Sequence, residues 1–201
     1  MALPAGPAIS KIWAAGVVPG MGNESDMQFT ETELSGVWLI QPMPVVDDRG
    51  SFTRLFCEKE MADCGLATRF VQHSRAYSAR KGTLRGLHYQ EEPYAEVKLV
   101  SCIRGAIFDV VVDMRPNSPT RYRWLGFELT PGNMKQVYIP PGFAHGLQTL
   151  TDDAEVSYLI SQFYTPHAST GARYNDPVFS INWPSMPTAI SERDRTWPLL
   201  K

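Results

Sequence analysis

The chain has 201 residues, enough for one substantial domain and short for two. With 43% hydrophobic and 20% charged residues and a formal net charge of −2, it has the composition of an ordinary soluble globular protein, with no electrostatic reason to expect nucleic acid or an anionic membrane as its main partner. No apolar run approaches the length of a membrane span. The three cysteines, Cys57, Cys64 and Cys102, are odd in number and lack CxxC spacing, so no disulfide framework or zinc knuckle is expected and a reducing cytoplasm is the simplest setting.

Residues 1–26 are rich in Ala, Gly and Pro and lack the basic start and long apolar core of a signal peptide. They read as a disordered extension, or as sequence upstream of a shorter chain starting at Met21 or Met27; the expected fold is a single domain over 27–201. From Phe29 onward, short β-like segments alternate with turn residues. The spacing predicts a strand over 34–42, then a segment over 45–57 holding the turn Asp47-Asp48-Arg49-Gly50 and an aromatic run from Phe52 to Phe56. A short helix is expected over 58–65, stopped by Gly65. Strands follow over 70–78 and 82–90, joined by Arg80-Lys81-Gly82. Two strongly apolar strands, 97–103 and 106–114, meet at Arg104-Gly105, a hairpin signal. Further strands read over 123–129, 136–139, 145–150 and 155–162, and the proline-punctuated tail ends in a helical turn over 191–195. Regularly spaced strands without long helices between them imply an all-β fold, an antiparallel sandwich or barrel with a few short helices.

The most informative stretch runs from Lys81 to Gln90. It reads as a strand of mixed polarity carrying Arg85 and His88, three residues apart. Faces of a regular strand alternate with period two, so these side chains would point to opposite faces. Gly86 between them is the residue best able to take a bulge that re-aims one of them. An isolated strand histidine is most often structural, but the residues downstream argue for more. Gly82, His88, Gln90, Lys98 and Gly105, followed by Pro140, Gly142 and His145, have the frame of the two motifs of the cupin superfamily of small jelly-roll β-barrels. Metal-binding cupins draw two histidines and a glutamate from the first motif and a histidine from the second. Here Gln90 stands at the second histidine position and Lys98 at the glutamate position. A divalent cation needs carboxylate and neutral imidazole, and an ammonium in the same place repels it. No divalent metal is therefore expected here. A lysine and an imidazole in a barrel interior suit an organic substrate instead, the one meeting an oxyanion and the other taking a proton.

Five strings in order, KGTLRGLHYQ (81–90), VKLVSCIRGAIFDVVVDMRPNSPT (97–120), YIPPGFAHGLQTL (138–150), DAEVSYLISQFY (153–164) and YNDPVFSINWP (174–184), closely resemble the dTDP-4-dehydrorhamnose 3,5-epimerase family. The similarity covers about 34–200. It implies a cupin-type jelly-roll β-barrel, working without metal or cofactor as a dimer, that inverts C3 and C5 of a 4-keto-6-deoxy sugar carried on a nucleoside diphosphate. It implies His88 as general base, Asp194 as the carboxylate that orients it, Lys98 as stabiliser of the enolate oxygen, and Tyr158 as general acid on the opposite face. Arg49, Arg85 and His145 match positions that bind nucleotide or sugar, and Tyr164 a nearby aromatic. Read alone, Tyr158 would be a strand packing residue and Lys98 a snorkelling one; their joint, ordered occurrence favours chemistry.

Three departures touch substrate contacts rather than these four residues. Arg54 ends the string Arg49-Gly50-Ser51-Phe52-Thr53-Arg54 where members carry a carboxylate. Gln72-His73-Ser74 stands in place of Gln-Asp-Asn, and Ser169 or Thr170 in place of an acidic residue after Tyr164-Thr165-Pro166. Arg54, Gln72 and Ser74 are accordingly expected in the substrate-binding set, with the nucleotide base and sugar left open. His73 and His167 read as structural or surface residues. A nucleotide-sugar substrate and a homodimer are expected, with neither nucleic acid nor membrane as partner. The alternatives are an epimerase acting at C3 only or C5 only or on another nucleotide sugar, and a non-catalytic nucleotide-sugar-binding cupin, which would need neither Tyr158 nor Asp194. A metal-dependent cupin oxygenase is disfavoured by Gln90 and Lys98.

Overall fold

The computed structural model describes residues 17–18 and 27–200. The expected 1–26 extension lies outside the described residues, apart from β1 (Val17–Val18), whose backbone pairs antiparallel with Thr30 and Phe29. The chain continues through β2 (Gln28–Glu31), β3 (Trp38–Gln41), β4 (Pro44–Asp47), β5 (Gly50–Thr53) and α1 (Glu58–Asp63). Then come β6 (Gln72–Ser78), β7 (Thr83–Gln90), β8 (Lys98–Arg104), β9 (Ile107–Asp113) and β10 (Trp124–Leu129). The last elements are β11 (Gln136–Ile139), β12 (Phe143–Thr149), β13 (Ala154–Ile160), β14 (Ser169–Gly171), β15 (Ala189–Ile190) and α2 (Glu192–Thr196). Among the described residues, no helix is long and apolar enough to cross a membrane.

The strands form two main sheets. The first runs β1-β2-β3-β11-β8-β13-β6, and the second β10-β9-β12-β7-β14 with β15 added parallel to β7. The all-β expectation holds, although among the described residues no ladder joins the two sheets into a closed barrel. A shared core lies between them: Val100, Val137, Ile139 and Val156 from the first sheet meet Ile107, Val111, Phe127, Phe143 and Leu147 from the second. The outer face of the first sheet is covered as well, with Ile40, Leu99 and Tyr138 against Met61, Leu66 and Phe70. On the second sheet, Val110, Val112 and Ala144 pack under Ala172, Phe179 and Trp183 of the tail. Covered on both faces, β9 and β12 are buried almost throughout; β9 accordingly reads as a near-continuous apolar run broken by Asp109, whereas β12 buries His145, Gln148 and Thr149 as well.

The hairpin expected at Arg104-Gly105 is not a hairpin. β8 pairs with β11 and β13, and β9 with β10 and β12, so the chain crosses from one sheet to the other at this corner. Gly105 makes the corner at φ +73, where a Cβ would lie 2.4 Å from Thr151 Oγ1. A glycine turn marks where the chain reverses, whereas non-local ladders decide which sheet it enters. The same crossing separates β6 from β7. A third, two-stranded sheet, the hairpin β4–β5, stands apart and exposes Val46 and Phe52.

Candidate active site

The register of β7 on β12 answers the puzzle of Arg85 and His88. His145 faces His88 and Leu147 faces Arg85, so three steps of β7 span two of β12 and the bulge lies at Gly86-Leu87. Arg85 and His88 therefore share a face, as the glycine between them suggested. Gly86 sits at φ +120, and a Cβ there would lie 2.5 Å from Gly146 Cα and 2.7 Å from the His145 carbonyl oxygen. Only glycine fits both the conformation and the space.

Both side chains open into a cavity of about 650 Å³ walled by the two sheets and closed on one side by residues 189–194. Lys98, His145, Tyr158, Arg193 and Asp194 line it with them. The second sheet contributes the imidazole. His88 Nε2 lies 2.5 Å from Asp194 Oδ1, while Asp194 Oδ2 accepts the Gly86 N–H at 3.2 Å. Asp194 is held in α2, whose N-cap Ser191 accepts the Asp194 N–H, and it is only 3% exposed. Burial alone would raise the Asp194 carboxyl; the hydrogen bond and charge of His88, then the Gly86 N–H and Ser191, outweigh it and hold the carboxyl below its ordinary value. With Nε2 committed to the carboxylate, Nδ1 is the ring nitrogen left to accept a proton.

The first sheet supplies the opposite wall. Gln72, Ile160, Lys98 and Ile139 form one cross-strand row, and Ser74, Tyr158, Val100 and Val137 the next, so Lys98 and Tyr158 share the inner face. Lys98 Nζ is 2.8 Å from Glu96 Oε1 and donates to the His88 carbonyl at 3.1 Å. Burial, then the Asp109 carboxylate, pushes the Tyr158 phenol up, against a smaller lowering by Arg85. Beside Tyr158, in an edge-on arrangement with ring centroids 6.0 Å apart, sits His145, whose Nε2 is 2.7 Å from Asp109 Oδ1. Arg85 reaches between the sheets, donating to Ser78 Oγ and the Tyr77 carbonyl on β6.

Six of the sequence-derived residues thus converge: His88, Lys98, Tyr158, Asp194, Arg85 and His145. Five do not line the cavity. Gln72 and Ser74 continue its cross-strand rows onto the edge strand β6, and Gln72 Oε1 accepts the Tyr164 N–H. Tyr164 lies outside, exposed, and its hydroxyl is lowered by hydrogen bonds to Arg193 and Ser169. Arg54 pairs with Glu60, and Arg49, its side chain 90% exposed, pairs with Asp47 at the tip of the β4–β5 hairpin. His73 bonds Ser157 and His167 packs edge-on to Tyr94, in keeping with structural roles. Sequence reasoning missed Glu96, Asp109 and Arg193. Asp109 was visible as a lone carboxylate inside an apolar run; Glu96 and Arg193 stand beside Lys98 and Asp194 without a signal of their own. Among the described residues, no group of three or more His, Cys, Asp or Glu is disposed to hold a metal ion.

Comparison with known proteins places the chain among epimerases of dTDP-linked 4-keto sugars, 3-epimerases among them. The family model described as dTDP-4-dehydrorhamnose 3,5-epimerase matches residues 31–201. The dTDP-4-dehydrorhamnose 3,5-epimerase of Sinorhizobium fredii is 44% identical over 185 residues, covering 89% of this chain and 93% of its own. The crystal structure of the Bacillus anthracis enzyme of that name, with TDP and pyrophosphate bound, superposes with a TM-score of 0.84 at 39% identity, covering 87% of this chain and all of that one. A Legionella pneumophila dTDP-6-deoxy-D-glucose-3,5-epimerase in complex with dTDP-4-keto-L-rhamnose gives a TM-score of 0.79 at 37% identity, covering 84% of this chain and 90% of its own.

Proposed function

Because the chain belongs to the dTDP-4-dehydrorhamnose 3,5-epimerase family, we propose that its cavity is the place where C3 and C5 of dTDP-4-keto-6-deoxyglucose are inverted. The protein is an isomerase of nucleotide-linked sugars, with a mostly β, cupin-like topology. The observation that carries the catalytic reading is the opposition of two proton-handling groups. The His88–Asp194 pair stands on the wall made by β7 and Tyr158 on the wall made by β13. A sugar ring between them offers one face to a base and the other to an acid.

The ketone at C4 makes the neighbouring C–H bonds acidic. His88 Nδ1 takes the proton from C3 or C5, the electron pair moves to the ketone oxygen, and the enolate forms. Lys98 meets that oxygen; a lost donor at such a site costs about 3–4 kcal/mol of barrier. Tyr158 then gives its proton to the same carbon from the other side, leaving inverted configuration, a phenolate and an imidazolium that solvent resets. A phenol raised by burial stays protonated until the strongly basic enolate carbon draws on it. Arg85 and His145 hold the nucleotide-bearing side of the sugar, with Gln72, Ser74 and Tyr164 continuing the contact surface along the β6 edge. The ammonium of Lys98 inside the cavity argues against a divalent metal there.

The protein acts as a homodimer. Support comes from the β4–β5 hairpin, which stands off the main sheets with Val46 and Phe52 exposed, and from Arg49, which matches a substrate-binding position but lies away from its own chain's cavity. Residues 27–201 form one domain, and the free thiols of Cys57, Cys64 and Cys102 suit a cytoplasmic setting. The test is incubation with dTDP-4-keto-6-deoxyglucose in deuterated water, read by NMR and mass. Deuterium at both C3 and C5 of an inverted product is expected. Label at one carbon alone would make the protein a mono-epimerase, and binding without label a recognition module.

A further inference from the structure

Lys98 is held by two protein groups, the His88 carbonyl and Glu96, and Glu96 has no part in the chemistry just described. A lysine ammonium carries three N–H donors and no acceptor. One goes to the His88 carbonyl at 3.1 Å, and Glu96 Oε1 lies 2.8 Å from the same nitrogen. The cross-strand neighbours of Lys98 are Ile139 and Ile160, whose side chains offer no polar atom. Two donor directions are therefore occupied by protein and the third is left for the cavity that Lys98 lines. Glu96 is itself fixed. Its side chain is 6% exposed, and Oε2 accepts the Gln90 N–H at 3.1 Å, at the end of the strand that carries His88. Gln90 in turn ties this corner to Tyr94, Phe163 and Thr165.

We infer that Glu96 is a positioning residue for Lys98: its carboxylate balances the buried ammonium and, with the His88 carbonyl, aims the remaining N–H at the oxygen that becomes the enolate. This rests on the reading of Lys98 as oxyanion partner. The ion pair is nearly dry, its side chains 14% and 6% exposed, so its geometry is retained rather than averaged by solvent. A misplacement of about 1 Å at such a group is enough for a loss of roughly 100-fold. Because the oxyanion contact strengthens as charge develops, the loss falls on kcat more than on KM.

Glu96→Gln keeps an oxygen for the Gln90 N–H and removes the charge, so it separates aiming from simple architecture. Steady-state rates and solvent deuterium wash-in at C3 and C5 are measured for Glu96→Gln, Lys98→Ala and the double variant, with unfolding midpoints alongside. The expected result is a kcat lowered about 10- to 100-fold with KM within about threefold, and wash-in lowered by the same factor. In the Lys98→Ala background the same substitution changes wash-in by less than about twofold, since there is no ammonium left to aim. An equal further loss in that background, or a wild-type or faster kcat for Glu96→Gln, overturns the assignment while leaving Lys98 in its role. A near-wild-type Lys98→Ala overturns the oxyanion reading and the inference with it. Should Glu96→Gln lose its fold, Glu96→Asp, which restores the charge one methylene short, carries the same cycle.

Discussion

On the proposed assignment of His88 as base and Tyr158 as acid, on opposite walls, the two have separable consequences when removed. His88→Ala leaves no group to take the proton next to the ketone, so inversion and deuterium wash-in both fall by about 100-fold or more. Tyr158→Phe leaves His88 and Lys98 in place. The C–H bond still breaks and the proton returns from the side it left, so exchange survives better than inversion and partly epimerised sugars accumulate. Full double inversion at the wild-type rate in Tyr158→Phe would make Tyr158 a packing residue on β13. A second residue-scale prediction concerns stability. Asp113 is fully buried at the end of β9 and accepts from Arg115, Ser118 and Thr120. Burial would raise its carboxyl, but these partners prevail and hold it at about 2, below the ordinary 3.8. A folded-state value below the unfolded one adds stability that is fully present above about pH 4 and is lost as the pH falls through about 2. The size is about 2 kcal/mol. Asp113→Asn should unfold more easily than the parent by that order at neutral pH, with the gap closing between about pH 4 and pH 2. A gap independent of pH would mean that packing, not the charge, is what the loop loses.

At the scale of elements, β7 is the strand on which the site depends, and its bulge is the feature that alternation rules cannot supply. Gly86 combines φ +120 with backbone atoms of Gly146 and His145 closer than any real Cβ tolerates. Gly86→Ala should cost several kcal/mol, since neither neighbour is a flexible side-chain end that can give way. Gly65, also at positive φ but with nothing within 4 Å of an added Cβ, is the control; Gly65→Ala pays for conformation alone, about 1 kcal/mol. Denaturant unfolding of both gives the comparison. Folded Gly86→Ala should also lose wash-in, because Arg85 and His88 share a face only through the bulge. A Gly86→Ala protein as stable and active as Gly65→Ala would show the strand to be laxer than its packing implies. The bulge was legible in the sequence because a cation, a glycine and an imidazole stood at conflicting spacing. The strand series was legible from turn residues and apolar runs. The pairing of β8 and β9 was not, because Gly105 specifies a reversal and distant ladders choose the sheet. β14 and β15, of three and two residues, are too short for any period to register. Asp194 reads locally as a capped helical turn; its place under His88 comes from a tail folding back over more than a hundred residues.

The molecule as a whole leaves one inconsistency within a single chain. Arg49 matches a substrate-binding position by resemblance and Arg54 stands where members carry a carboxylate, yet neither lines the cavity. Arg49 sits at the tip of a hairpin whose Val46 and Phe52 are 73% and 70% exposed, an apolar surface unusual for a strand pair facing only water. A symmetric pair of chains resolves both facts if the hairpin of each packs on the other and brings its Arg49 to the partner's cavity. Two consequences follow at the level of the assembly. Phe52→Glu should dissociate such a dimer in sedimentation and weaken substrate binding together, without disturbing the His88–Asp194 pair, which lies wholly within one chain. The sharper test is complementation. Arg49→Ala chains keep His88, and His88→Ala chains keep Arg49. In a mixed dimer one cavity has an intact His88 and receives an intact Arg49 from its neighbour, while the other lacks both. Co-expressed in equal amounts with random pairing, about half the dimers are mixed and each has one sound site, so about one quarter of wild-type activity should return. Activity no greater than the sum of the two separate variants would place Arg49 in its own chain's service, and the hairpin would need another explanation for its exposed aromatic.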